Sequence, residues 1–221
     1  MNQLRLYPHG TIIRRGANSR GVIGMFVQVF EGRVSDREGL HRQMDQWMSD
    51  LRPGATGFLG STAGVTDDGN GIAFARFESA AAAKANSERP EQGRWWTETE
   101  KCFAGDVTFT DSEDVEPLLG GGSNDAGFAQ VMKGSADRDR LHTLDAGFED
   151  VAGSWRPDLI GGLRVWTGPD RYIEVNYFTS EADAREGEKK EPPAALAAQM
   201  GEFEELMADV EYRDLKDPWL Y

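Results

Sequence analysis

Two kinds of apolar run alternate along this chain. Met25 to Phe30 is a short, almost continuous apolar stretch of strand type. Leu40, Met44, Trp47, Met48 and Leu51 follow at helical spacing, behind a capping Ser35-Asp36 and ahead of the stop Arg52-Pro53-Gly54. Residues 55–65 read as a strand broken by glycines, Asp67-Asp68-Gly69-Asn70-Gly71 as a turn, and Ile72 to Phe77 as a strand. Ser79 caps an alanine-rich helix over 80–85. After a break at Arg89-Pro90 the pattern predicts a helical piece from Arg94 to Phe103 and a closing strand from Val107 to Thr110.

The same order then returns. Phe128 to Met132 reads as a strand, and Leu141, Leu144, Phe148 and Val151 form a helical stripe. Leu163 to Trp166 and Tyr172 to Phe178 are strands about the turn Thr167-Gly168-Pro169-Asp170. Leu196, Met200, Phe203 and Met207 form a last stripe before Val210 to Arg213. Individual residues recur too: Phe26-Val27-Gln28-Val29 as Phe128-Ala129-Gln130-Val131, Leu40-His41 as Leu141-His142, and Arg52-Pro53 as Arg156-Pro157. The offset drifts only from 101 positions (His41 to His142) to 104 (Pro53 to Pro157). A period of about a hundred residues is the size of a small domain and too long for a solenoid.

The expected organisation is an irregular arm over residues 1–24, a first unit over 25–117, a Gly/Ser-rich flexible join over 118–126 and a second unit over 127–221. Each unit has the β-α-β-β-α-β order of the ferredoxin-like fold, which is α+β: an antiparallel sheet with both helices on one face. In Met25 to Phe30 both alternating sets of positions are largely apolar, so both faces of the strand should be buried. The economical cover for each bare sheet is the sheet of the other unit. Two units back to back form a pseudo-dimeric α+β barrel with helices outside.

Composition narrows the function. The net charge is −14, from 38 acidic and 24 basic residues, which repels phosphate backbones and anionic lipid, so nucleic acid and membrane partners are not expected. The single cysteine, Cys102, fits a reducing compartment. With no apolar run of spanning length and no signal-peptide pattern, a cytoplasmic location is the expectation.

The strand-to-helix passages Ala75-Arg76-Phe77-Glu78-Ser79-Ala80-Ala81-Ala82-Ala83 and Asn176-Tyr177-Phe178-Thr179-Ser180-Glu181-Ala182-Asp183-Ala184 carry a resemblance. Over about 25–115 and 127–219 the chain resembles the dimeric α+β barrel superfamily, and within it antibiotic-biosynthesis-monooxygenase-like (ABM-like) domains, in tandem duplication. That resemblance implies a hydrophobic small molecule held between sheet and helices, in some relatives a polycyclic aromatic or polyketide-like compound oxidised without metal or flavin. It implies no cofactor here. Other relatives degrade haem using a helix histidine and a strand asparagine. This chain has Ala85-Asn86-Ser87 and Glu186-Gly187-Glu188 in that helix region, and Gln28 and Gln130 on the first strands, so haem handling ranks lower. A non-catalytic structural or interaction module with a filled barrel is the alternative from another class. Fusion removes the need for dimerisation, and further homo-oligomerisation stays open.

The candidate site residues follow from the repeat. His41 and His142 occupy equivalent places at the edge of the helical stripe, either as base or polar anchor for a pocket or as helix-surface histidines. Asp45 and Asp145 could at most orient an imidazole, and no zinc or iron site is expected. Gln28 and Gln130 are amides on strands that look buried, suited to a ligand or to a neighbouring strand. Glu174 and Asn176 stand where the first unit has Ala73 and Ala75, which marks divergence of the halves and makes Glu174 a candidate base if buried. Trp96, in the pair Trp95-Trp96 that the second unit replaces with Ala194-Ala195, is a candidate pocket wall or core residue.

Overall fold

The structure, a computed structural model, describes residues 24–122 and 124–221. The expected N-terminal arm lies outside the described residues except for Gly24. The first unit contains β1 (Phe26–Arg33), α1 (Arg37–Gln46), β2 (Phe58–Val65), β3 (Asn70–Phe77), α2 (Ala80–Ser87), α3 (Pro90–Thr99) and β4 (Thr108–Ser112). β5 (Val115–Leu118) leads out of it. The second unit contains β6 (Phe128–Ser135), α4 (Arg138–Trp155), β7 (Leu159–Trp166), β8 (Arg171–Phe178), α5 (Glu181–Glu188), α6 (Ala194–Ala197), α7 (Met200–Met207) and β9 (Glu211–Leu215), and β10 (Trp219–Leu220) ends the chain.

The expected caps at Asp36 and Ser79 form, and the repeat carries each to its second-unit counterpart, Asp137 and Ser180. The Asp36 carboxylate accepts from Gly39 N at 2.8 Å and the Asp137 carboxylate from Arg140 N at 3.0 Å. Ser79 and Ser180 do the same for Ala82 and Asp183. Two helices differ from expectation. Proline at the first helical position lets α3 begin at Pro90 rather than Arg94. The stripe after α1 continues as a π-helical turn, Trp47–Leu51, before Arg52–Gly54 closes it. α4 instead runs unbroken to Trp155.

Each sheet has five strands, in the orders β10-β2-β3-β1-β4 and β5-β7-β8-β6-β9. All recorded pairings are antiparallel. The edge strand at one side of each sheet comes from across the fold. β5 leaves the first unit and pairs with β7, Glu116 opposite Arg164; β10 leaves the second and pairs with β2, Trp219 opposite Ala63. The hydrophobic pattern did not show this exchange, because both strands are very short and β5 carries Pro117, which only an edge tolerates.

The stretch expected as a flexible join begins inside β5 and then makes a tight turn. Gly121 N donates to Leu118 O at 2.9 Å, and Leu119, Gly120 and Gly121 all have positive φ. Gly161 receives this turn: a Cβ there would lie 2.0 Å from Gly121 O.

The two sheets pack face to face, as the two-sided apolar strands imply. Val27, Val29, Ile72 and Phe74 from one sheet and Val131, Leu163, Val165, Ile173, Val175 and Leu215 from the other form one buried cluster. Burying each such side chain contributes about 1.5–3 kcal/mol. One hydrogen bond crosses this core, between Thr62 Oγ1 and the Tyr177 hydroxyl at 2.6 Å. Burial pushes the Tyr177 pKa up, against that bond and nearby Arg76. Glu31 closes the barrel's side by binding Lys133 at 2.8 Å and Arg213 at 3.1 Å, both from the other half. Among the described residues, no helix is long and apolar enough to cross a membrane.

Candidate functional site

Strand alternation sends the other set of side chains toward the helices. In β8, Ile173, Val175 and Tyr177 enter the inter-sheet core, so Tyr172, Glu174, Asn176 and Phe178 face α4 and the α5–α7 segment. There they border a cavity of about 750 Å³. Leu141, Leu144 and Phe148 of α4, Leu196 of α6, Met200, Phe203 and Met207 of α7, and Leu118 and Leu119 beside β5 supply most of its apolar wall. Leu119 holds φ +49°, a costly conformation for a residue with a Cβ, so the exchanged segment is fixed against the cavity.

The floor is charged. Arg164 of β7, 3% exposed, donates from Nε to Glu174 Oε2 at 2.7 Å and from Nη2 to Asp145 Oδ1 at 3.1 Å. Its Nη1 lies 3.6 Å from Glu116 Oε2 on the exchanged strand. Glu174, 5% exposed, is held on its other side by Asn176 Nδ2 at 2.7 Å. Burial opposes the Arg164 charge, but the Glu174 and Asp145 carboxylates outweigh it and carry the pKa above the ordinary guanidinium value. Tyr172 is pushed up first by burial and then by Glu174, and Tyr212 is shifted in the same direction by the same two causes in the same order. Other cations on the lining have their own acceptors. Arg156 binds Asp158 at 2.7 Å, Arg185 binds Glu188 at 2.8 Å and also Asp214, and Lys190 donates to Trp155 O at 3.1 Å. Trp155 Nε1 and Gln199 Oε1 are buried on the cavity lining with no hydrogen-bond partner.

The equivalent space in the first unit is a cavity of about 220 Å³. Its floor is Ala63, Ala73 and Ala75, and Met44 stands where α4 has Asp145. Trp96 lines it, with its ring centroid 5.9 Å from that of Phe30 and 5.0 Å from that of Phe109. The donors here are satisfied: Trp95 Nε1 bonds Gln43 O at 2.8 Å and Trp47 Nε1 bonds Gln92 at 2.7 Å.

The seven sequence candidates therefore separate. Glu174, Asn176 and Gln130 line the large cavity together; Gln28 and Trp96 line the small one. The two glutamines also make matching cross-strand bonds, Gln28 to Asp111 at 2.8 Å and Gln130 to Asp214 at 2.9 Å. His41 and His142 border neither cavity. Each instead meets the exchanged strand: His41 stacks on Trp219 at 4.4 Å, and His142 Nε2 lies 2.9 Å from Glu116 Oε1. Arg164 was not singled out from sequence, and Asp145 was read only as a residue that could orient an imidazole, whereas it binds Arg164. The repeat sets Asp145 against Met44, and strand pairing sets Arg164 against Ala63, since Ala63 lies opposite Ala73 and Arg164 opposite Glu174. Among the described residues, no group of three or more His, Cys, Asp or Glu side chains is placed to hold a metal ion.

No family model matches the chain, and no curated protein does. Solved structures do match. An inferred monooxygenase of Lactobacillus acidophilus NCFM aligns with a TM-score of 0.64 at 10% identity, over 90% of this chain and 99% of that one. An inferred monooxygenase of Fusobacterium nucleatum subsp. nucleatum gives a TM-score of 0.68 at 7% identity, over 89% and 94%. An anthrone oxidase-like protein gives 0.61 at 14% identity, over 90% and 94%. Identities this low speak to the fold, and each of these matches runs across both units. The chain thus shares the fold of these proteins, a pseudo-dimeric α+β barrel with its two ferredoxin-like units carried in tandem.

Proposed function

We propose that this protein binds an aromatic small molecule in the cavity of its second unit and oxidises it with molecular oxygen. The observation that carries the binding half is the asymmetry of the two units. One has a cavity of about 750 Å³, within the usual size of a small-molecule site, while the other has an aromatic-lined remnant of about 220 Å³. An apolar wall over a few fixed polar groups is the usual composition of such a site. The oxidation half is supported by the fold neighbours, two of them inferred monooxygenases and one anthrone oxidase-like.

Within this reading Glu174 is a fixed acceptor. Both of its oxygens already accept from Arg164 and Asn176, which holds the carboxylate in place and leaves it a polar anchor for a ligand donor. His41 and His142 have no part in it, since they border neither cavity.

Anthrone is the first compound to test, and its oxidation balances without an added reductant. The methylene carbon loses two hydrogens and gains one oxygen atom of O2, the other leaves as water, and anthraquinone is formed. Purified protein with anthrone should consume one O2 per quinone, faster than buffer alone. Binding without acceleration would remove the oxygenase half and keep the site. Failure of anthrone and related tricyclic ketones to bind would remove both.

A further inference from the structure

The floor of the large cavity carries more negative charge than its own cation balances. Glu116, Asp145 and Glu174 converge on one guanidinium, that of Arg164. Asp145 and Glu174 line the cavity and Glu116 does not, so on the cavity side the formal charges exceed that of Arg164 by one, with Glu174 buried and the Asp145 side chain 26% exposed. Besides Tyr172, which is neutral at pH 7, His142 meets the cluster. It sits on Glu116 at the solvent side, with about half of its side chain exposed, and so cannot fill the cavity side. Of the remaining cations on the lining, Arg156 and Arg185 face the carboxylates of Asp158, Glu188 and Asp214, and the Lys190 ammonium donates to the neutral Trp155 carbonyl, with the Glu149 carboxylate also on the lining.

Two neighbouring tyrosines face the same carboxylate. Tyr172 and Tyr212 both have raised pKa values in which the Glu174 charge follows burial as a cause. The contrast with the first unit shows that this arrangement is not required by the fold. There the corresponding positions are Trp219, Met44, Ala73 and Ala63, all apolar, and the same topology forms. A buried charge cluster is often no more stable than an apolar replacement of similar volume. Uncompensated buried charge is a cost that a bound counter-charge removes. Phe148 and Trp155 border the same space, and aromatic rings are side chains that attract cations.

We infer that the ligand of this cavity carries a cationic amine head on its aromatic body, with the ammonium group seated against the Asp145–Glu174 side of the floor. This rests on the second-unit cavity being the ligand site, and it specifies the ligand's charge.

Three probes of nearly equal shape test it by calorimetry on the full chain at pH 7.5: 1-naphthylmethylamine (cationic), 1-naphthalenemethanol (neutral) and 1-naphthoic acid (anionic). The amine should bind at least about tenfold tighter than the alcohol, and the acid should give no heat. The Asp145→Asn variant, at a half-buried position, should keep the fold and narrow the amine preference several-fold, with a smaller effect on the alcohol. Equal affinity for all three probes, or a preference untouched in Asp145→Asn, overturns the inference and leaves the cavity reading standing. No binding of any probe at millimolar concentration overturns both.

Discussion

The two halves of this chain share an element order, their helix caps and a reciprocal strand exchange, yet they solve the space between sheet and helices in opposite ways. The first unit closes it with Trp96 over an alanine floor. The second leaves it open over Arg164, Glu174 and Asp145. Because the inter-sheet core is common to both, the difference lies in the strand positions that face the helices and in the helices that cover them. A duplicated fold can thus keep one unit as scaffold and free the other for chemistry, at a cost confined to one face of each sheet.

The largest expected effect comes from breaking the charged floor on one side only. Arg164→Ala leaves Glu174 buried without its cation and should cost about 3–5 kcal/mol of stability, read by urea denaturation. The matched triple variant Asp145→Met, Arg164→Met, Glu174→Leu makes the floor apolar, as in the first unit. It should be as stable as the parent or more so, by up to about 4 kcal/mol, while losing ligand affinity. A triple variant as damaged as the single one would mean that the network is structural.

Next in size is the reverse change in the first unit. Trp96→Ala should cost about 2 kcal/mol, less than a fully buried tryptophan because its ring is only half-buried, and should open a second cavity for an apolar probe. Unchanged probe uptake would show that the helices collapse onto the gap.

A smaller effect is alkaline. Tyr172, Tyr177, Tyr212 and Tyr221 all have raised pKa values, with burial the leading cause in each. Below the ordinary tyrosine value of about 10 these groups are neutral folded or unfolded, so they impose no pH dependence. As pH rises past about 10 the unfolded chain ionises first, and stability falls. Absorbance at 295 nm should therefore show these tyrosines ionising above the free value, together with loss of structure. Ordinary titration near pH 10 in a folded protein would contradict this.

The smallest is His142→Ala. With its imidazole about half exposed and its partner Glu116 beside Arg164, its loss should change stability by less than about 1 kcal/mol. It should leave anthrone binding unchanged, because the side chain borders neither cavity.

How much of this was legible in the sequence follows from which signals are local. The βαββαβ order, the caps at Asp36, Ser79, Asp137 and Ser180, and the back-to-back sheets rest on periodicity and on two-sided apolar strands, which are local. The exchange of β5 and β10 was hidden, because four-residue and two-residue edge strands have no period to read, and their partners are set by tertiary geometry. Among the site residues, the Ala73/Glu174 and Ala75/Asn176 contrast was visible because two copies could be laid in register. Asp145 stands against Met44 in the same alignment, but Arg164 does not emerge from it, because the offset of 104 at Pro53 and Pro157 carries into that strand and only the strand pairing returns it to 101. The openness of the second cavity was not legible. It depends on how α6 and α7 sit over the sheet, and the stripe Leu196, Met200, Phe203, Met207 says only which face is apolar.

The central claim is that one unit holds the ligand and the other does not. The most direct test is equilibrium dialysis of anthrone under argon, so that no turnover occurs, against the parent chain and two cavity-filling variants. Leu144→Trp fills the second unit and Met48→Trp fills the first. One anthrone bound per chain, abolished by Leu144→Trp and untouched by Met48→Trp, is the predicted result. Two bound per chain, or binding that survives Leu144→Trp and fails in Met48→Trp, would contradict it.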